Sequence, residues 1–541
     1  MHRDAVQIPE PPPEDSGVRS TSWHLTREHP LVTLARNVST RYVLILINVL
    51  IGLVMLRFNV QHLGRETWGL WMLAAQVTGY FTVLDLGYGS AVVKVVAEVR
   101  ARRDARALIE VLSTMAHVFS AIGVACYALA IVVAALLPYI FNLAPEQEST
   151  GRLVLLMTAL QVALYFHFSV YGGVINGFEK YYLNNLVGMV FNLATAAVNV
   201  AVLWLGYGLV ELVACTTVLR IVPLWIYRRN AFKVFPQLEI RRHLFRRDRL
   251  RELSGFSIYV AVVDWASRIM FATDSFYLGV FLNTAAVAFY AVAQRIADTL
   301  LTLTFQLHTF MMPAVVNRAI DGVVGRQRSL MVRATRFQLA LAMCFCGGVA
   351  ALAGPLIHGW LGPGWENSAL ATQLLAVVVV LRASIAMPMT VLQGTGHHKY
   401  VAVVSASGAL LNVLLSIPLV QIWGVVGVAT GTVAAAALCS VLVFARACRV
   451  VGLGIWAGWR QVMFPTLWPG VVVVVVTAAA DRAMGGSLAA ACITLVLGGM
   501  LYAALFVMFG LDRDERQWLA GAWGRIMRGR APQLATSDIG G

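Results

Sequence analysis

Apolar residues in this chain gather into runs of about twenty, separated by short polar connections, rather than recurring at the spacing of an amphipathic helix or strand. An α-helix needs roughly 20 mostly apolar residues to cross a hydrocarbon core about 30 Å thick. Fourteen runs qualify, near residues 42–58, 68–88, 111–137, 153–177, 183–205, 208–227, 256–282, 285–312, 337–360, 369–392, 401–422, 425–445, 462–480 and 488–510. The pattern predicts an all-α polytopic membrane protein of about 14 transmembrane helices. Pro465 and Pro469 at the entry of the thirteenth run weaken its helical signal.

Basic residues crowd into alternate connections and are scarce in the others. With the amino terminus cytoplasmic, 34 Lys and Arg fall on the inner side, and only Arg57, Arg65, Arg152 and Arg482 on the outer. This bias predicts that both termini are cytoplasmic, in a bacterial inner membrane. A chain that is 59% hydrophobic and 13% charged, with mean hydropathy +0.73, is not an ordinary soluble domain. The net charge of +15 therefore points to anionic membrane lipids as partners and away from nucleic acid, since no soluble face exists to present it. The first 40 residues are polar, with Pro9 and Pro11 to Pro13 and no cleavable signal. They predict a disordered tail. In residues 512–541, Trp518, Trp523, Ile526 and Met527 interleave with Arg516, Arg525 and Arg528, as in an interfacial amphipathic helix. None of the seven cysteines lies in an outer loop, which argues against structural disulfides, and Cys344 and Cys346 are too close for a CxxC pair.

The chain also repeats itself. Val174 to Leu212 parallels Val391 to Ala429: Gly177 matches Gly394, Lys180 matches Lys399 after a two-residue insertion, Asn192 approximates Asn412, and Gly206/Gly208 approximates Gly424/Gly427. Gly64 to Val83 likewise parallels Asn283 to Leu303. Six spans per repeat is an even number, so both repeats enter the membrane from the same side, related by an axis along its normal. The predicted organisation is a tail (1–40), an N-lobe (41–230), a basic cytoplasmic linker (231–254), a C-lobe (255–448), two extra spans (449–511) and a cytoplasmic tail (512–541).

The run GRETWGLWMLAAQVTGYFTVLDLGYGSAVVKVVAE from Gly64 to Glu98, the QGTGHHKY turn and the glycine-bearing end of span 11 resemble the multidrug/oligosaccharidyl-lipid/polysaccharide exporter superfamily. Within it they are most similar to the Wzx-type polysaccharide flippases, over roughly residues 35–450. The resemblance implies two pseudo-symmetric six-helix bundles in a V, alternating access, and a lipid-linked oligosaccharide as cargo. The two C-terminal spans depart from the commonest 12-span pattern and resemble the lipid II branch.

Four arginines, Arg220, Arg268, Arg295 and Arg382, lie near the middle of four different spans. A midplane arginine costs at least about 2.5 kcal/mol, so each must face protein or water, and together they predict a shared polar cavity. A guanidinium stays charged and presents a donor fork suited to phosphate oxygens, which fits a pyrophosphate. Arg268 has Asp264 at i−4 and Arg295 has Asp298 at i+3, so for these two, local pairing and substrate binding both stand. Arg220 and Arg382 lack an acidic neighbour in their own helices and are expected in the cavity. Asp264 and Asp298 are the candidates for an ion-coupling carboxylate, with Asp274 a further acid on span 7. Asp85, in LDLGYG, reads either as a gate or ion ligand or as a helix-end residue beside a glycine bend. His167 and His308 fit hydrogen-bonded packing better than a proton relay. Gly427 and Gly431 form a GxxxG pattern expected to bring helices close.

No HExxH, P-loop or GxSxG motif occurs, nor a Cys/His zinc cluster. The sequence therefore reads as a transporter and not an enzyme, needing no cofactor beyond a coupling proton or sodium ion. The expected function is flipping a polyprenyl-pyrophosphate-linked oligosaccharide outward for polysaccharide synthesis, in company with a polysaccharide polymerase or other assembly proteins. Two alternatives remain: a cation-coupled multidrug exporter of the same superfamily, and a membrane-embedded polymerase or glycosyltransferase. The short outer loops weigh against the second. Four midplane arginines against Asp264, Asp274 and Asp298 weigh against the first.

Overall fold

The computed structural model describes residues 30–85, 92, 96, 105–241, 244–246, 248, 263, 265–270, 273–320, 324–512 and 515–517, and no strand occurs among them. Helices α1 (Pro30–Leu63), α2 (Arg65–Phe81), α3 (Ala105–Ile140), α4 (Pro145–Gly177), α5 (Tyr181–Trp204) and α6 (Leu209–Val234) carry the first repeat. The second contains α7 (265–270 and 273–281), α8 (Thr284–Ile320), α9 (Val324–Leu361), α10 (Glu366–Gly394) and the long α11 (His398–Val450). The hairpin α12 (Ile455–Ala483) and α13 (Leu488–Gly510) follows.

Among the described residues, 11 helices are long and apolar enough to cross a membrane. One of them, α11, holds two spans. Gly424 interrupts it at φ 57°, ψ −128°, a conformation open to a residue without Cβ, at the predicted boundary between spans 11 and 12. The two remaining spans are α2, whose 17 residues run into a 3-10 turn at Thr82–Asp85, and the partly described α7. Span 13 runs through both of its prolines. A π-helical stretch, Trp459–Met463, runs directly into the segment holding Pro465, the local adjustment by which a membrane helix accommodates a proline within it.

One boundary differs from expectation. The first helix starts at Pro30, so residues 30–40 are helix and not tail. Residues 1–29, and the C-terminal tail from Trp518 onward, lie outside the described residues, as does most of the expected linker beyond residue 241.

The repeat is visible in the backbone. After Gly177, the N–H groups of Phe178, Glu179 and Lys180 donate to Val174, Asn176 and Ile175; after Gly394, those of Thr395, Gly396 and His397 donate to Val391, Gln393 and Leu392. Glu179 and Gly396 both take positive φ, at 62° and 82°. These are the same left-handed helix ending. The two turns are equal in length, which corrects the alignment: Lys180 corresponds to His397, and the expected two-residue insertion before Lys399 does not occur. Nor do Asn192 and Asn412 play equivalent parts, since Asn192 donates to Asn48 at 2.7 Å and Asn412 to Thr432 at 2.9 Å.

Helices α1 to α6 pack mainly on one another, as do α8 to α11, and α2 packs on α8 across the two groups. Small residues permit this. A Cβ on Gly69 of α2 would run into the carbonyl of Thr284 at the start of α8, and one on Gly427 would strike the Leu419 carbonyl across the α11 break. Gln76 of α2 donates to Gln294 of α8 at 2.9 Å. The sequence pairs these two helices as repeats, so near-equivalent glutamines meet each other, as a two-fold axis between them requires.

The final hairpin rests on α9. Its contact includes Ala340, Met343, Val473, Tyr502 and Phe506. Buried Arg336 of α9 donates to Glu515 at 3.0 Å, to the Gly510 carbonyl at 3.1 Å and to Asp512 at 3.3 Å.

Candidate functional site

Arg220 occupies α6 three residues before Pro223, which has no N–H to give the Leu219 carbonyl and so loosens the helix there. At 3.6 residues per turn, Arg220 shares a face with Val213, Thr216, Thr217, Pro223, Leu224 and Ala231. All six are buried, whereas Arg220 itself is exposed. Arg220 is thus an exposed guanidinium among buried neighbours on one helix face. Among the described residues Arg220 makes no hydrogen bond or ion pair, so its five donors are available.

Of the other three arginines, two reach from the second repeat to the first. Arg268 of α7 donates to the Thr82 hydroxyl at 2.8 Å, reaching the end of α2. Arg295 of α8 lies against Gly52 of α1, with Nη2 3.5 Å from the Asn48 carbonyl. Arg382, half-buried on α10, and Arg295 both exert their charge on the Asp298 carboxylate, Arg382 the more strongly. Arg295, Arg382 and Asp298 are thereby brought together from two helices, and the i,i+3 partner of Arg295 answers to a second arginine as well. Asp85 closes the 3-10 turn after α2, at a helix end. Its side chain and all of Asp264 lie outside the described residues. His167 is exposed and bonded to Ser120 at 2.8 Å; half-buried His308 stands 5.8 Å from the ring of Phe305.

The end of the bundle that the charge bias assigns to the outside is fastened across the repeats. The Asn142 side chain donates to the Leu282 carbonyl at 2.7 Å, and its backbone N–H to that of Gly279 at 3.0 Å. Arg65 donates to the Pro363 carbonyl at 2.9 Å and lies 5.0 Å from the ring centroid of Trp365. In this structure the two repeats are held in contact at that end.

A second polar cluster lies within the C-terminal repeat. Asp274 of α7 is fully buried. Its Oδ2 accepts hydrogen bonds from the Tyr290 hydroxyl and, at 2.9 Å, from the Thr432 hydroxyl, to which Asn412 Nδ2 donates in turn. Asp274 Oδ1, Asn412 Oδ1 and Ser416 Oγ are buried with no hydrogen-bond partner. Orphaned oxygens beside a buried carboxylate call for a ligand, because each costs desolvation energy that nothing in the protein returns. The oxygens are hard donors fitted to a proton or a small monovalent cation. Among the described residues no group of three or more His, Cys, Asp or Glu is arranged for a metal ion. The sequence signal was an aspartate in the middle of a span, the feature that singled out the arginines; without its hydroxyl neighbours, which are remote in sequence, Asp274 stood no higher than Asp264 or Asp298.

A bundle of two repeats with polar groups between and within them defines a multi-pass membrane transporter. The chain belongs to the polysaccharide biosynthesis protein family, whose pattern its residues 34–316 match, just over half its length. It is 22% identical over 391 residues to a putative O-antigen transporter of Shigella flexneri, covering 71% of this chain and 90% of that one. Among solved structures, it is similar to the lipid II flippase MurJ in an inward closed conformation, with TM-score 0.70 and 13% identity over 87% of this chain and 98% of that one. It is also similar to an inward-facing multidrug resistance MATE transporter of the MOP superfamily, with TM-score 0.61 and 14% identity over 76% and 94%. The superfamily resemblance read from Gly64 to Glu98 therefore holds.

Proposed function

We propose that this transporter flips a polyprenyl-pyrophosphate-linked oligosaccharide from the cytoplasmic to the periplasmic leaflet, by alternating access between two lobes, residues 41–230 and 255–448. Both termini lie in the cytoplasm. The observation that carries the reading is Arg220, a charged, accessible side chain with no partner among the described residues, on a face that is otherwise buried. An arginine kept there without an acid serves an anion that arrives from outside the fold. Arg382 and Arg295 add positive charge that Asp298 offsets only in part, and Arg268 lies beside Thr82. The contact between the repeats at the outer end supports a form that takes up the headgroup from the cytoplasm while the polyprenyl tail stays in lipid.

The Asp274 cluster supplies the coupling ion's place, with Thr432, Asn412 and Ser416 contributing oxygens and a proton or sodium ion as the candidates. An ion there neutralises the buried carboxylate and alters the packing of α7 against both limbs of α11. A multidrug exporter would take organic cations, and Arg220 repels them.

The test is Arg220→Ala with Arg382→Ala in a strain that depends on the protein for surface polysaccharide. Loss of polysaccharide, with normal levels of monodisperse protein in the membrane, is expected. Undiminished export by the double variant refutes the anion cavity.

A further inference from the structure

The cytoplasmic end of α6 carries a feature the transport cycle leaves unused. Trp225, Arg228, Arg229, Phe232 and Lys233 line an open groove of about 470 Å³ on the helix surface. The Arg228 guanidinium lies 5.7 Å from the ring centroids of both Trp225 and Phe232. Those rings are braced from α4, Trp225 by Phe168 at 5.2 Å and Phe232 by Tyr171 at 6.1 Å. The cation is thus held by a four-ring scaffold whose α4 half is buried. Arg228, Arg229 and Lys233 are all exposed, and among the described residues none has an acidic partner. Three unneutralised charges within six residues, around aromatic walls, form a site for an anion.

The rest of the helix face says which anion. Val218, Val222 and Trp225 are exposed at 58%, 41% and 55%, and with Arg229 they follow the i, i+4, i+7, i+11 rows of a single helix face. An apolar stripe about two turns long therefore runs from the basic groove toward the middle of the membrane. Arg220 is two residues from Val222, about 200° around the helix, so the stripe faces away from the proposed arginine cavity. A ligand seated here is off the translocation route. We propose that this is a binding site for an anionic phospholipid of the cytoplasmic leaflet. Arg228, Arg229 and Lys233 hold its phosphate, and Val218, Val222 and Trp225 carry its acyl chain. A free phosphate compound would use the charges but has no need of the stripe.

This inference rests on the proposed orientation of the chain but not on its cargo. The experiment uses the full-length protein in detergent, with native mass spectrometry reading bound phosphatidylglycerol against phosphatidylcholine. Each basic group near a membrane surface contributes roughly fivefold to anionic-lipid binding, so the wild type is expected to prefer phosphatidylglycerol about a hundredfold. Arg228→Gln, Arg229→Gln and Lys233→Gln combined should erase that preference while leaving the gel-filtration profile unchanged. Trp225→Leu keeps all three charges and should lower the preference a few-fold, by removing a cation–π wall and part of the stripe. Equal binding of the two lipids by the wild type, or an undiminished preference in the triple variant, overturns the proposal. So does inorganic pyrophosphate binding at these residues as tightly as the lipid, which would make them a phosphate site. Polysaccharide export in the Arg220 and Arg382 variant is read separately, so either reading can fail alone.

Discussion

Closure of the outer end depends on how near α2 can come to α8, and Gly69 sets that distance. A methyl group at Gly69 would overlap the Thr284 carbonyl and crowd the Ala288 N–H at 3.3 Å. Both are backbone atoms at the start of a helix, and they cannot swing aside as a side chain would. Gly69→Ala must therefore separate the two helices. Overpacking of this kind costs about 1–3 kcal/mol in a well-packed contact. A penalty of about 2 kcal/mol, borne only by the closed state, multiplies the population of outer-open molecules roughly 30-fold. Spin labels at Gln61 and Asn367, exposed near the outer ends of α1 and α10, would report the change as a longer component in the distance distribution. Gly79→Ala is the control: it lies on the same helix, and a Cβ there meets nothing within 4 Å. If Gly69→Ala leaves the distribution at its wild-type form, or if Gly79→Ala shifts it as far, helix approach at Gly69 does not govern closure.

Other consequences are as direct. Arg336→Met removes the close partner of buried Glu515 and leaves it only exposed Arg333 at 3.6 Å, so it should destabilise the protein by about 3 kcal/mol in reversible unfolding, the low end of the cost of breaking a buried pair, whereas adding Glu515→Leu should recover most of the loss. Tyr290→Phe deprives buried Asp274 of one of its two donors and should cost about 1–3 kcal/mol in the same measurement. Asp274→Asn should abolish the dependence of transport in vesicles on a proton or sodium gradient; unaltered dependence would move the coupling site elsewhere. Gly427→Val drives a side chain into the Leu419 carbonyl and should lower thermal stability by at least as much as Tyr290→Phe, because backbone must yield to relieve it.

Much of the architecture was legible because hydrophobic runs and charge bias are properties of contiguous sequence. Even the break at Gly424 fell where span 11 was divided from span 12. The repeat was readable in its glycines but misregistered at Lys180, because aligning lysine on lysine outweighed the backbone logic that makes Glu179 and Gly396 the same left-handed residue. Among candidate site residues, Arg220 was readable from the cost of a midplane charge, though its exposure on an otherwise buried face is a fact of packing that no spacing encodes. The reach of Arg295 to α1 and of Arg268 to Thr82 joins residues some two hundred positions apart. Local partners such as Asp298 were the only ones a linear reading offers. The Asp274 cluster was missed for the same reason, since its four other members, Tyr290, Thr432, Asn412 and Ser416, are hydroxyl and amide residues unremarkable by themselves.

The clasp between Arg336 and the segment just beyond α13 fixes what the last two spans do when the protein moves. Tethered to α9 by charge and by the aromatic pair Phe337 and Phe506, the hairpin would travel in the proposed cycle as a passenger on the second lobe rather than a hinge between lobes. Any acyl chain lodged beside it must then sweep through the bilayer with that lobe. A cross-link from α13 to α9 would leave the cycle running, whereas one from α13 to α1 would jam it.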